Sequence, residues 1–341
     1  MKKILLPLAI VSALLVSCES EKKESAISVY PTELTFGAEG GRDTVIVTST
    51  DSWYPVEGPA VWCFYYDDGN GNLIISVDNN LDTESSRTGK VVIHCGDKTA
   101  EVTIIQEKDE IIEFKDEAFL QALLSNDYVD YNDDKKISKA EAYRNNGSIS
   151  VSYSIYGTFP EIRGMDEIKY FVNLTRLYCS NNQLTTLDLR NNTALTDLKC
   201  DGNQLTTLDL RDNTALTTLW CHNNQLTTLD LRDNTALTTL WCGGNQLTFL
   251  DVRNNTALTT LYCSYSQLTT LDLRNNTALT DLKCDGNQLT TLDLSNNTAL
   301  TTLYCSGNPL TKIILSRYHE IDEHYISMII NEYGDIIEYV D

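Results

Sequence analysis

From Leu174 onward the sequence repeats itself every 21 residues. The unit reads L-T-x-L-x-C-x-x-N-Q-L-T-T-L-D-L-R-x-N-T-A and occurs about seven times. A unit this short cannot bury its own apolar face, so copies must stack and share one core. Leu195, Leu198, Cys200, Leu205, Leu208 and Leu210 form the inward set of one turn. Each unit also splits into two halves, L-T-x-L-x-C and L-T-T-L-D-L, and each half carries the x-L-x-L alternation of a short strand. The pattern predicts a flat solenoid with parallel strands on both broad faces.

The repeat sorts the cysteines. Cys179, Cys200, Cys221, Cys242, Cys263, Cys284 and Cys305 fall one per turn at an inward position. Stacked strands lie about 4.8 Å apart, wider than the ~3.8 Å between the Cβ atoms of a disulfide. These thiols therefore read as small apolar fillers. Two asparagine columns accompany them. Asn182, Asn203, Asn224, Asn245, Asn287 and Asn308 form one, with Ser266 in the missing place; Asn192, Asn213, Asn234, Asn255, Asn276 and Asn297 form the other. Buried amides of this kind satisfy backbone groups of adjacent turns, so both columns are structural.

The unit strongly resembles the leucine-rich-repeat family over about 145 residues. That resemblance implies binding on the strand face of the first half-unit. The outward residue between Leu and Cys there reads Tyr178, Lys199, Trp220, Trp241, Tyr262, Lys283 and Tyr304. Two tryptophans at the centre of an exposed stripe are costly to leave in water, and His222 flanks them. These eight residues are the candidate ligand-binding set. The ligand expected is a host or bacterial surface protein; the alternatives are a glycan and a spacer without a ligand. On the second face Asp188, Asp209, Asp230, Asp251, Asp272 and Asp293 point outward. Arg190, Arg211, Arg232, Arg253 and Arg274 follow two positions after the first five, and interleaving should make the face a solvated ion-pair network.

No catalytic constellation stands out. The four histidines lie in no H-E-x-x-H motif, and there is no G-x-S-x-G, phosphate-binding glycine loop or C-x-x-C. The chain reads as a binding protein and not as an enzyme.

Residues 26–107 alternate with period two between turn signals such as Gly40-Gly41 and Gly96-Asp97, as in a β-sandwich. Ser28-Val29-Tyr30-Pro31, Leu34-Thr35-Phe36, Trp53, Arg87-Thr88-Gly89 and Val102 to Gln106 resemble the BACON domain. That is an immunoglobulin-like module of exported Bacteroidetes proteins. Cys63 and Cys95 fall inside it, with their pairing open.

Residues 108–147 change to a helical period through Phe114, Ala118, Phe119, Ala122 and Leu123. Asp130, Asn132, Asp134, Lys136 (through its carbonyl), Ser138 and Glu141 then resemble the ligand positions of an EF-hand or dockerin-type loop, which implies Ca²⁺. Lys135 stands where such a loop has Gly, and its charge opposes a cation.

The N-terminus begins with Lys2 and Lys3, followed by an apolar run and Leu15-Val16-Ser17-Cys18. This resembles a bacterial lipobox, which implies cleavage before Cys18 and lipid attachment to its thiol. Palmitate-type chains there would hold the protein to the membrane. The expected location is the bacterial outer membrane, at the cell surface. A formal net charge of −22 makes nucleic acid an unfavourable partner.

The expected fold is mainly β. A signal peptide (1–17) and tether (18–25) precede an Ig-like sandwich (26–107). A short helical EF-hand-like cap (108–147) joins it to the solenoid (148–316), and 317–341 form a C-terminal cap.

Overall fold

The computed structural model describes residues 24–59, 61–153, 160–319, 321 and 332–341. The lipobox, with Cys18, and the expected cap residues Ile326, Ile329 and Ile330 lie outside the described residues. Among the described residues no helix is long and apolar enough to cross a membrane. The chain divides into two compact units. One holds Arg42–Ser76 and Gly89–Ile104; the other takes in Thr35–Gly41, Val77–Thr88 and everything from Ile105 on.

The N-terminal region consists of eight strands: β1 (Ile27–Tyr30), β2 (Glu33–Phe36), β3 (Gly41–Ser49), β4 (Tyr54–Glu57), β5 (Cys63–Asp67), β6 (Asn72–Val77), β7 (Arg87–Cys95) and β8 (Lys98–Gln106). They form two four-stranded sheets, β1-β3-β6-β5 and β2-β8-β7-β4. Alternation decides which side of each strand is covered. Leu73, Ile75 and Val77 are buried on β6, Val91, Ile93 and Cys95 on β7, and Val102 and Ile104 on β8. Gln106 continues the inward row of β8 and is fully buried. Its Nε2 donates to the carbonyls of Gly37, Ala38 and Asp78, and its Oε1 accepts from Arg87 Nε at 2.7 Å. The amide is thereby satisfied where an unpaired one would be expensive.

Two short helices follow, α1 (Glu117–Leu124) and α2 (Lys139–Arg144). Asp116 caps α1, its side chain accepting from the Phe119 amide; Ser138 and Glu141 close a capping box on α2. Phe119, Ala122, Leu123, Val129 and Ile137 are buried in the same apolar cluster that continues into the repeat leucines. The helical segment thus covers the first turn, whose open end would otherwise face water.

The solenoid sheet begins at β9 (Ser148–Ser150). It continues through β10 (Arg176–Tyr178), β11 (Asp197–Lys199), β12 (Thr218–Trp220), β13 (Thr239–Trp241), β14 (Thr260–Tyr262) and β15 (Asp281–Lys283). On the second face lies β16 (Thr291–Asp293), and the first face ends with β17 (Thr302–Tyr304). The eight strands of the first face are parallel, and each residue pairs with its equivalent one repeat later, as Leu198 does with Leu219. Every repeat cysteine and the flanking leucines are buried.

Among the described residues the second face is built of extended segments and carries no helix. Its backbone ladder is confined to the C-terminal end, where β16 pairs with β18 (Lys312–Ser316) and β18 with β19 (Ile337–Val340). The expectation of two equal sheets needs that refinement. In each of five turns the Asp of this face accepts the amide two residues on, as Asp209 Oδ1 accepts from Arg211 N at 3.2 Å. Asp293 of β16 makes the same bond to Ser295 N at 3.0 Å and still pairs with Ile314 of β18, so the bond alone does not end the ladder.

The asparagine columns stitch the turns together. Asn203 Nδ2 donates to the Cys179 and Cys200 carbonyls, each at 3.0 Å, and its Oδ1 accepts from Leu184 N at 3.0 Å. Asn234 of the second column donates to Leu210 O at 3.0 Å and Asn213 O at 2.9 Å, while its Oδ1 is buried without a partner. At the fifth turn Ser266 replaces the asparagine, and its buried hydroxyl makes no hydrogen bond.

Candidate functional site

Strands β10 to β15 and β17 bring the sequence-predicted stripe into one column. Parallel register sets Lys199 beside Trp220, Trp220 beside Trp241, and Trp241 beside Tyr262. The side chains are half-buried, because they lie on one another. The Trp220 and Trp241 rings are 4.1 Å apart and 2° from parallel; Trp241 and Tyr262 follow at 4.9 Å and 23°. The lysines belong to the same stack. Lys199 Nζ lies 3.6 Å from the centre of the Trp220 ring and 5.0 Å from that of Tyr178. Lys283 Nζ lies 4.4 Å from Tyr262 and 5.0 Å from Tyr304. All seven predicted residues therefore form one continuous ladder of rings and cations, stabilised by stacking and by the attraction of ammonium to the ring faces.

Rings separated by one strand spacing and lying parallel present edges to solvent, not faces. Trp220 is covered by Lys199 on one side and Trp241 on the other. Trp241 lies between Trp220 and Tyr262. The Nε1 donors of both tryptophans are buried and have no acceptor. His222 sits beside the pair, its ring centre 5.8 Å from Trp241 and its Nε2 3.7 Å from Asp201 Oδ2.

A groove of about 740 Å³ opens next to this ladder, bounded by Trp241, Tyr262, Lys283 and Tyr304 on the ladder side and by His222, Gly243, Gly244, Tyr265 and Asp285 on the loop side. The sequence reading missed Gly243, Gly244 and Tyr265, and placed Asp285 only as a polar flank of the stripe. The signal was present as a column: the two residues after each cysteine are Ser-Asn, Asp-Gly, His-Asn, Gly-Gly, Ser-Tyr, Asp-Gly and Ser-Gly. The second of these takes a left-handed conformation at every turn, with φ from 53° at Asn223 to 67° at Gly307. A side chain there leans on the next turn. A Cβ on Gly244 would lie 2.3 Å from Asn223 Oδ1, and one on Gly286 would lie 2.6 Å from the Tyr265 ring. Bulky and bare positions therefore alternate through Gly286.

The repeat thiols are inert by construction. Burial pushes Cys242 and Cys305 up to about 12 and raises the thiols between them well above the usual range. On the second face each arginine pairs with the aspartate of its own turn, so the expected interleaving between turns is replaced by pairing within a turn. Arg211 Nε and Nη2 meet Asp209 Oδ1 and Oδ2 at 2.9 and 2.6 Å. Hydrogen bonds from the guanidinium and the amide hold Asp188, Asp209, Asp230 and Asp272 down to about 2.

The EF-hand-like residues adopt the loop's shape with different partners. Lys135 takes φ 62°, the turn that Gly serves in the resembled family. Asp130 accepts from the Asp134 and Lys135 amides, Asn132 from Asp134, and Asp134 from Lys136. Glu141 is buried, with Oε1 accepting from the Tyr131 and Asn132 amides and Oε2 from the amide and hydroxyl of Ser138. Both oxygens that would clasp a cation are thus engaged by the protein. Among the described residues no group of three or more His, Cys, Asp or Glu gathers as a metal site. The donors as arranged do not fit Ca²⁺.

Comparison with known proteins agrees with this architecture. Residues 214–255 match the family model of leucine rich repeats in two copies. Residues 42–107 match BACON, described as a putative binding domain, N-terminal. Two binding modules on one chain suggest a binding or adhesion protein. Among solved structures, the functional domain of InlJ from Listeria monocytogenes, which includes a cysteine ladder, is 36% identical. That match covers 57% of this chain and 49% of that one, at a TM-score of 0.42. The chain thus spans about half the length of that structure. YopM, a leucine-rich effector protein from Yersinia pestis, is 23% identical over 50% of this chain and 54% of that one, at a TM-score of 0.37. A protein from Bacteroides thetaiotaomicron is 18% identical over 23% of this chain and 76% of that one, at 0.20. No curated protein matches the sequence.

Proposed function

We propose that this chain is a non-enzymatic binding protein of the bacterial cell envelope that captures a protein ligand on the strand face of its leucine-rich-repeat solenoid. The observation that carries the reading is the continuous ladder from Tyr178 to Tyr304. A glycan receptor would offer open ring faces for sugars to stack on. Here the faces of Trp220, Trp241 and Tyr262 are covered by neighbouring rings and ammonium groups. What remains is a rigid, mixed apolar and polar surface several strands wide. Such a surface suits a protein interface, for which about 800 Å² per side with Trp and Tyr anchors is usual. The lipobox resemblance at Cys18 supports a lipid anchor at the outer membrane, facing outward.

A paired panel tests the reading. Wild type and the Trp220→Ala/Trp241→Ala double variant are screened against host-matrix proteins and against a glycan array. We expect a protein hit that the double variant loses. A glycan hit lost in the double variant would replace the reading with the glycan one. Anchoring is tested by Cys18→Ala, which should move the protein from membrane to soluble fractions.

A further inference from the structure

The groove at Gly243–Gly244 has a chemistry more specific than the rest of the strand face. It is the one turn at which both residues after the cysteine lack a side chain. The neighbouring turns place His222 and Asn223 on one side and Ser264 and Tyr265 on the other. Asn223 Oδ1 stands 2.3 Å from the Cβ site of Gly244 and Ser264 O 2.5 Å from that of Gly243, so the room for a ligand is in the wider groove toward Tyr262, Tyr265 and Asp285. Trp241 and Tyr262 close the back of the groove.

The charge at its mouth comes from Asp285. Its Oδ2 accepts from Ser264 Oγ at 3.1 Å, and among the described residues no Lys or Arg lies in ion-pair distance of it. Lys283 is two residues away but is held over Tyr262 and Tyr304. On the second face of the same solenoid, by contrast, five aspartates each hold an arginine. The whole chain carries −22, which draws a cationic partner.

We infer that the groove beside Gly243–Gly244 takes an arginine side chain of the protein partner, the guanidinium bonding Asp285 beside Tyr265. Arginine combines a planar, weakly hydrated cation with donors that match a carboxylate, and it stacks on aromatic groups; a lysine ammonium offers the charge without the plane. This inference rests on the protein-binding reading and names the group that reading leaves open.

The test uses the full chain and three small probes: the Nα-acetyl amides of arginine, lysine and tryptophan. Binding is followed by the chemical shifts of the Trp241 indole and the Gly243 and Gly244 amides. The arginine probe should saturate these shifts at least fivefold more tightly than the lysine probe. Asp285→Asn should weaken it by about tenfold, and Tyr265→Asn should weaken it several-fold. Asn stands at the Tyr265 position in two other turns, as Asn181 and Asn223, so that variant keeps the fold. Equal binding of lysine and arginine, or indifference to Asp285→Asn, overturns the inference. So does preference for the tryptophan probe, but that outcome leaves the strand-face reading intact, which the paired panel decides separately.

Discussion

The indole rings of Trp220 and Trp241 lie 4.1 Å apart and 2° from parallel, one repeat apart in the sequence and adjacent in the sheet. The repeat spacing has become a stacking distance. Two chromophores so placed couple electronically. Either single change, Trp220→Ala or Trp241→Ala, should abolish a coupled indole signal in circular dichroism. Each should also lower stability by about 0.5–1.5 kcal/mol beyond the area lost. Loss of the signal only in the double variant would show that the rings are not stacked in solution.

Ser266 interrupts the first asparagine column and leaves a buried hydroxyl unpaired. Ser266→Asn should restore the bridge that Asn245 makes to Leu226 N and to the Cys221 and Cys242 carbonyls. A gain of about 1 kcal/mol per net hydrogen bond is expected, read as a higher urea midpoint at unchanged slope. A lower midpoint would mean that the fifth turn cannot accept the amide.

Gly244 combines φ 63° with a Cβ site 2.3 Å from Asn223 Oδ1. Gly244→Ala should therefore cost about 1–2 kcal/mol from backbone conformation, plus the displacement of Asn223. Adding Asn223→Gly should recover the second part and not the first. If the double variant is no more stable than the single one, the alternation of bulky and bare positions is not steric.

The paired aspartates of the second face predict an acid response. Asp188, Asp209, Asp230 and Asp272 titrate near 2 in the folded chain, below the value of about 3.9 in an unfolded one. Their contribution is complete above pH ~4 and is lost as pH falls toward 2. The pairs are exposed, so the effect is small and weakens with salt. Replacing Arg211 and Arg232 by Gln should lower the urea midpoint at pH 7 and make a much smaller difference at pH 2. An equal difference at both pH values would assign the effect to packing.

Much of this was legible because a 21-residue period leaves few choices. The inward leucines and cysteines, both asparagine columns and the stripe of seven outward residues all follow from the repeat; the covering helices followed from the helical period before it. Lys199 and Lys283 were counted in the stripe, but their place inside the stack was not visible, since it depends on where a flexible ammonium settles between two rings. The second face looked like a strand by alternation. Its backbone ladder forms only at the C-terminal end, a difference between like turns that periodicity does not register. The groove at Gly243–Gly244 comes from missing side chains, and residue-type reasoning looks for groups that are present. At the EF-hand-like loop the spacing was right, but Glu141 turned to backbone amides. We expect millimolar Ca²⁺ to leave the thermal midpoint unchanged and Lys135→Gly to raise stability by about 1 kcal/mol, as relief of a left-handed non-glycine residue allows. A calcium-dependent rise of several degrees in wild type would restore the cation to that loop.

The strand face as the ligand-binding surface is tested most directly by one comparison. The protein partner recovered from the matrix panel is titrated against wild type and against Trp220→Ala/Trp241→Ala, with the unfolding midpoint of each measured alongside. Central aromatic anchors contribute about 2 kcal/mol or more to an interface. The account predicts a rise in Kd of roughly thirtyfold or more while the double variant stays folded at the assay temperature. An unchanged Kd in a folded double variant contradicts it.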